Sequence, residues 1–224
     1  MSQASLQLMK NFLKNLNGND CNILQPFHIK SLRSLQYLKI DTAFLHTATT
    51  FWDTQDHVFR FNGQELCPLI KEFAAILGYS LDSITMIILP DLNMQLPHKL
   101  ISFFDMSPDD IYSSLLPSRL MSLHSLITAC ETKDKNNPAW IKTVSFCLYA
   151  QFLLTASQGD ADVRIISIIE QVEIRANPMP IIFAETIIGL DNFKEQNRLS
   201  GSLFLLQVCN QNLYFIFILA LTFA

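Results

Sequence analysis

Glycine is scarce in this chain. Six glycines occur in 224 residues and none is adjacent to another. That rules out a Gly-rich phosphate loop, a dinucleotide-binding fingerprint and a G-x-S-x-G nucleophile elbow, each of which needs glycines at fixed spacing. Metal-ligand spacing is absent too. The five cysteines (Cys21, Cys67, Cys130, Cys147, Cys209) form no C-x-x-C pair and no disulfide framework. They read as buried, reduced thiols, which fits the cytosol or nucleus better than a secretory route. The histidines (His28, His46, His57, His98, His124) are scattered, with no H-x-x-x-H pair. Positive charge is not in excess: 16 basic residues face 20 acidic ones, a net charge of −4. Bulk electrostatics therefore gives no strong signal for nucleic acid, which is met by a clustered basic face. Lys30, Arg33 and Lys39 come closest to a basic run and read as a solvated face. Charge is missing altogether from Leu199 to Ala224.

Hydrophobic residues are abundant, at 50%, enough for a sizeable core. At this length one domain is the default, with two small lobes possible. The N-terminus mixes lysines with apolar residues and has no signal-peptide cleavage pattern. Leu6, Met9, Leu13 and Leu16 give residues 4–16 a helical stripe, ended by Asn17-Gly18-Asn19-Asp20. Further helices are expected over His28–Lys39, Asp41–Thr50 and His98–Phe104. Residues 80–88 fit helix or strand, and 90–97 reads as a loop. Ser107-Pro108-Asp109-Asp110 is a helix start: a Ser cap, Pro in the first turn and two acids at the positive end of the dipole. Pro117 breaks that helix, and Leu120–Ala129 reads as the next. Glu131–Asn137 is a polar stretch with the character of a mobile loop. Asn137-Pro138 repeats the cap device before Trp140–Ala156, apolar on most faces and so expected at the centre. Gly159–Asp162 reads as turn and cap. Val163, Ile166, Ile169 and Val172 stripe one helix, and Asn177-Pro178 opens another that reaches about Gln196. The whole reads as mainly α, an antiparallel helical array with one small β-hairpin near residues 57–67.

That hairpin is the most informative stretch. Val58-Phe59-Arg60-Phe61 is rich in strand formers. Asn62-Gly63 follows, the pair that tolerates the positive φ angles of a type I′ turn. Gln64 to Cys67 would return, Pro68 stops the ladder, and a helix begins in its first turn. Leu69, Ile70, Phe73, Ala74 and Leu77 share a face at helical spacing, and Gly78 stands where a C-terminus favours the left-handed region. Trp52 is an aromatic anchor for the hairpin.

Three blocks in order then carry a family resemblance: Trp52-Asp53 with Phe59, Phe61, Glu65, Pro68, Glu72 and Leu77-Gly78; Asn177 to Thr186, with Pro180, Ala184, Glu185 and Thr186; and Gly201-Ser202 leading to Leu205-Leu206-Gln207-Val208. Together they resemble the plant mobile domain, closest to a plant branch in which the label aminotransferase-like recurs. The family pattern has Thr where Leu69 stands, a second acid where Lys71 stands and Trp where Cys209 stands. On this reading residues 1–27 are an N-terminal helix and linker, 28–208 the domain, and 209–224 an apolar tail outside the pattern. The resemblance implies a transposon-associated, nuclear domain that interacts with other proteins, linked to silencing and genome maintenance, without catalytic, cofactor-binding or metal residues. The aminotransferase label finds no phosphate cup beside a lysine, so no cofactor is expected.

Two other readings compete. The nearly apolar run 213–224 could anchor the chain in a membrane, the one route by which a membrane enters. That run is about half of the roughly 20 residues a span needs, and Asn210-Gln211-Asn212 interrupts the longer stretch. Translated non-coding sequence is favoured by the change of character at Cys209. The third reading is an enzyme with an unrecognised site. Asp53 and Asp56 at the hairpin entrance, Asp109-Asp110, Asp160-Ala161-Asp162 and His57 fit caps and turns better than acid–base or metal chemistry. Glu185, in an apolar helix segment, is expected to be a buried acid bonded to Arg60, Arg164, a Trp or a backbone amide.

Overall fold

The computed structural model describes residues 3–81, 96–116, 119–154, 160–196 and 200–209. The fold is mainly α. Helix α1 (Gln3–Lys14) is followed by α2 (Gly18–Ile23), α3 (Ile29–Leu35) and α4 (Thr42–Thr50). A three-stranded antiparallel sheet comes next, β1 (Trp52–Asp53), β2 (Val58–Phe61) and β3 (Gln64–Leu66), in the order β1-β2-β3. Then come α5 (Ile70–Leu77), α6 (Leu96–Phe104), α7 (Pro108–Ser114), β4 (Leu120–Ser122), α8 (Leu123–Thr132), α9 (Pro138–Phe152), β5 (Asp160–Asp162), α10 (Ile165–Glu173) and α11 (Met179–Gln196). Residues 203–209 form a last helical segment, α12.

Helix α9 is the centre, as its all-round apolarity requires. Its side chains are buried from Thr143 to Phe152 without a break. Its polar groups are met locally: Trp140 Nε1–H donates to the Cys130 carbonyl at 3.2 Å, and Thr143 Oγ1 to Ala139 O at 2.6 Å. The Tyr149 hydroxyl shares a 2.7 Å hydrogen bond with that of Tyr79. Met9, Phe12 and Leu13 of α1, Phe103 and Phe104 of α6 and Ile166 and Ile169 of α10 join the same core.

A second, smaller core lies apart. Leu45 and Ala48 of α4, Trp52, Phe59, Leu190 of α11 and Leu203 and Leu206 of α12 make it up. It joins the hairpin to the C-terminal elements.

Local chemistry explains where the elements depart from expectation. Asn17 to Asp20 does not end a helix but starts one. Asn17 Oδ1 accepts from Asp20 N–H and Asp20 Oδ2 from Asn17 N–H, both at 2.9 Å, a reciprocal capping box. Leu120–Ser122 is strand, and so is Asp160–Asp162; they pair antiparallel with Leu120 opposite Asp162. Strands of three residues show no periodicity to read. Ser122 then caps α8, accepting from Ser125 N–H. The 133–137 loop is tied down rather than loose: Lys133 Nζ donates to the Phe104 and Asp105 carbonyls, Lys135 pairs with buried Asp20 at 2.7 Å, and Asn137 Nδ2 donates to Asp105 Oδ2 at 2.9 Å. Helix α5 starts at Ile70, with Leu69 as its cap residue and 50% exposed, so Leu69 leaves the inward face assigned to it. Pro97 lies inside α6, and residues 82–90 and the tail 210–224 lie outside the described residues.

Candidate functional site: the junction of hairpin and helix α11

The Asn62-Gly63 turn forms as its residues dictate, with φ of 45° and 80°, and sets the register Phe61 opposite Gln64, Arg60 opposite Glu65 and Phe59 opposite Leu66. Alternation then sends Phe59 inward and Arg60 outward. Phe59 and Trp52 are each 1% exposed. Their rings meet edge to face with centroids 4.8 Å apart. These aromatics join α4 and the hairpin to α11 and α12, because β1 pairs with β2 and Trp52 packs with Leu45, Leu190 and Leu203.

Asp191 of α11 receives the hairpin. Its Oδ1 accepts from Trp52 Nε1–H at 2.8 Å, and its Oδ2 lies 3.2 Å from His57 Nε2. His57, at φ 54°, sits in the turn between β1 and β2 as a turn residue would, and is half exposed. On the outer face Arg60 gathers three acids: Asp53 and Asp56 on Nη1 and Nη2, and Glu65 on Nε at 3.0 Å. Asp53 also caps its own turn, its Oδ1 accepting from Gln55 and Asp56 N–H at 2.8 and 3.0 Å. These carboxylates are consumed in fixing the hairpin.

The other motif residues are equally structural in position. Pro68 is buried, and the Glu72 carboxylate accepts from Leu69 N–H at 3.0 Å at the start of α5. Leu77 is fully buried, and Gly78 has φ 76°. Asn177 Oδ1 accepts from Met179 N–H at 2.9 Å, with Pro180 in the first turn of α11. The second and third blocks meet directly. Gly201 has φ 80°, and a Cβ on it would stand 2.5 Å from Thr186 Cα and 2.9 Å from Glu185 O. Ser202 N–H donates to Thr186 Oγ1 at 2.9 Å, and Ser202 Oγ to Phe152 O at 2.9 Å.

Glu185 departs from expectation. It is only partly buried, and Ala184 beside it is exposed. Arg60 is taken by the hairpin acids and Arg164 by Asp162 at 2.6 Å. Glu185 acts on Arg164 through space, as the least of the influences raising that guanidinium's pKa. The acid that does anchor this helix is Asp191. The signal was available: like Glu185, it interrupts an apolar run, directly after Leu190.

The junction brings a histidine, a carboxylate and a nearby thiol into one neighbourhood, so its chemistry can be weighed. Cys67 Sγ donates to the His57 and Pro68 carbonyls, at 3.7 and 3.3 Å, and not to the imidazole ring. Partial burial, then the charge of Glu72, push its thiol pKa up. A nucleophilic cysteine needs the opposite shift. Cys130 and Cys209 are pushed to about 12, chiefly by burial. The five cysteines are unpaired; Cys130, Cys147 and Cys209 are buried as expected, whereas Cys67 is exposed and Cys21 only half-buried. Among the described residues no group of three His, Cys, Asp or Glu is placed to hold a metal ion, and no helix is long and apolar enough to cross a membrane. Compared with protein-family models, curated proteins and solved structures, the chain matches none.

Proposed function

We propose that the chain is a non-catalytic protein-interaction module of plant mobile domain type, acting in the nucleus in silencing or genome maintenance. One observation carries the interaction reading. Residues of the sequence blocks brace this junction: Trp52 ties the hairpin to Asp191 of α11, Arg60 with its acids stiffens the hairpin, and Thr186–Ser202 ties α11 to the segment before α12. A rigid scaffold positions exposed features for a partner. Here these are Phe51, 43% exposed and packed on Phe61 at 4.5 Å, and Leu69 just beyond β3. The plant and nuclear parts of the reading rest on the resemblance alone, an associational warrant.

The test is affinity capture from plant nuclei with the wild-type chain and a Phe51→Ser, Leu69→Ser variant. A defined partner retained by the first and lost by the second supports the reading. Equal recovery by both contradicts it. Absorbance near the aldimine band in the purified protein would instead point to the enzyme class.

A further inference from the structure

The net charge of −4 hides a segregation. Residues 1–40 carry five basic side chains (Lys10, Lys14, Lys30, Arg33, Lys39) and one acid, Asp20; the rest of the chain carries eleven and nineteen. Asp20 is 2% exposed and neutralised by Lys135, so it subtracts nothing from the surface outside.

The fold gathers these cations. The outward face of α3 carries Lys30, Arg33 and Ser34, while Ile29, Leu32 and Leu35 face the core, and Tyr37 follows in the turn just beyond the helix. Lys10 Nζ reaches the Leu38 carbonyl at 3.5 Å, which brings α1 alongside the C-terminal end of α3. Lys14, exposed, lies one turn further along the same face of α1. Arg33 Nη1–H donates to Cys21 Sγ at 3.3 Å, which orients its guanidinium. Gln207 fixes the backbone under Lys39, its Nε2 donating to Lys39 O at 2.9 Å and its Oε1 accepting from Asp41 N–H at 2.7 Å. None of the five cations is in an ion pair among the described residues. The nearest acid in sequence, Asp41, is engaged as the cap of α4. Between Arg33 and Lys39 in the chain, Tyr37 is 75% exposed.

We propose that this face of α1 and α3 binds single-stranded nucleic acid, the cations tracking phosphates and the Tyr37 ring stacking on a base. Uncompensated cations on an acidic protein are complementary to a polyanion. The exposed ring selects a strand with unstacked bases. Helix α3, seven residues and about 10 Å long, offers little reach along a duplex groove. An anionic membrane surface would use the same charges and is therefore one outcome of the test.

The test is fluorescence anisotropy with a labelled oligonucleotide of about 12 nucleotides, from about 50 to about 200 mM salt. Four phosphate contacts predict a log–log salt slope of about −3 for a single strand. Lys30→Glu with Arg33→Glu should abolish binding, and Tyr37→Ala should weaken it about tenfold with the slope unchanged. Lys99→Glu with Lys142→Glu, the same change in net charge placed on α6 and α9, should leave binding nearly intact. Circular dichroism verifies that each variant is folded, and Lys30→Gln with Lys39→Gln serves as the milder pair. The proposal is overturned by no binding at the lowest salt, by equal loss in the two double variants, by equal affinity for a duplex of the same length, or by tighter binding of phosphatidylserine vesicles than of the oligonucleotide.

Discussion

Gln36 and the half-buried His28 act on stability in opposite directions. Gln36, 3% exposed, has neither its amide oxygen nor its nitrogen hydrogen-bonded among the described residues, and the same holds for the Ser145 hydroxyl in α9. An unpartnered buried polar group costs about 1–3 kcal/mol. Gln36→Leu is therefore expected to raise stability by about 1–2 kcal/mol in urea denaturation, where most core substitutions lower it. A loss of that size would mean the amide has a partner. His28 supplies a pH dependence. It stacks on Tyr79 with centroids 3.7 Å apart, and its Nδ1 lies 3.1 Å from the Leu77 carbonyl. Burial lowers its pKa below 6.5, outweighing the carbonyl bond, which raises it. The unfolded chain then takes up a proton before the folded one does. So the stability this neutral ring contributes is complete above about pH 6.5 and falls as the pH drops from there toward the lowered folded value. His28→Asn, which tolerates the left-handed φ of 54°, should remove that part of the slope when melting is compared at pH 7.5 and 5 by calorimetry.

At the scale of elements, the close contact of α11 with the segment before α12 is the least tolerant place. Gly201 needs both its positive φ and the absence of a Cβ, which would meet the Thr186 backbone at 2.5 Å. Gly201→Ala should cost about 3 kcal/mol or more, since strain and overlap act together. By contrast Gly63→Ala in the open hairpin turn, with nothing within 4 Å of a Cβ, should cost about 1 kcal/mol, from conformation alone. Thermal melts of the two variants compare them directly; equal losses would contradict the packing of α11. The same contrast explains what was legible. Elements set by neighbouring residues could be read: the Asn62-Gly63 turn, the Ser107 and Asn137 caps, the Gly78 stop and the all-apolar α9. Elements set by distant partners could not. The β4–β5 pair brings together residues forty apart in sequence, and neither three-residue strand has a pattern of its own. Asn17-x-x-Asp20 looked like a terminator because its cap geometry depends on which way the chain turns next. In the candidate site, Trp52 and Phe59 announced themselves by size and apolarity. Their receptor, Asp191, lies 139 residues from Trp52, and Glu185 looked the better anchor because it sits inside the motif.

For the molecule as a whole, the second core is a clamp between the hairpin and the C-terminal elements. The hairpin, α4, α11 and α12 share a small apolar cluster beside the main one, with Trp52 and Phe59 as its aromatic members. The direct measurement is a double-mutant cycle in urea on Trp52→Phe and Asp191→Ala. The Trp52–Asp191 bond links an indole N–H to a carboxylate that is 30% exposed, so a coupling of about 1 kcal/mol is expected after discounting for solvent, with faster hydrogen exchange across residues 52–66 in either single variant. Additive effects with unchanged exchange in the hairpin would contradict the clamp.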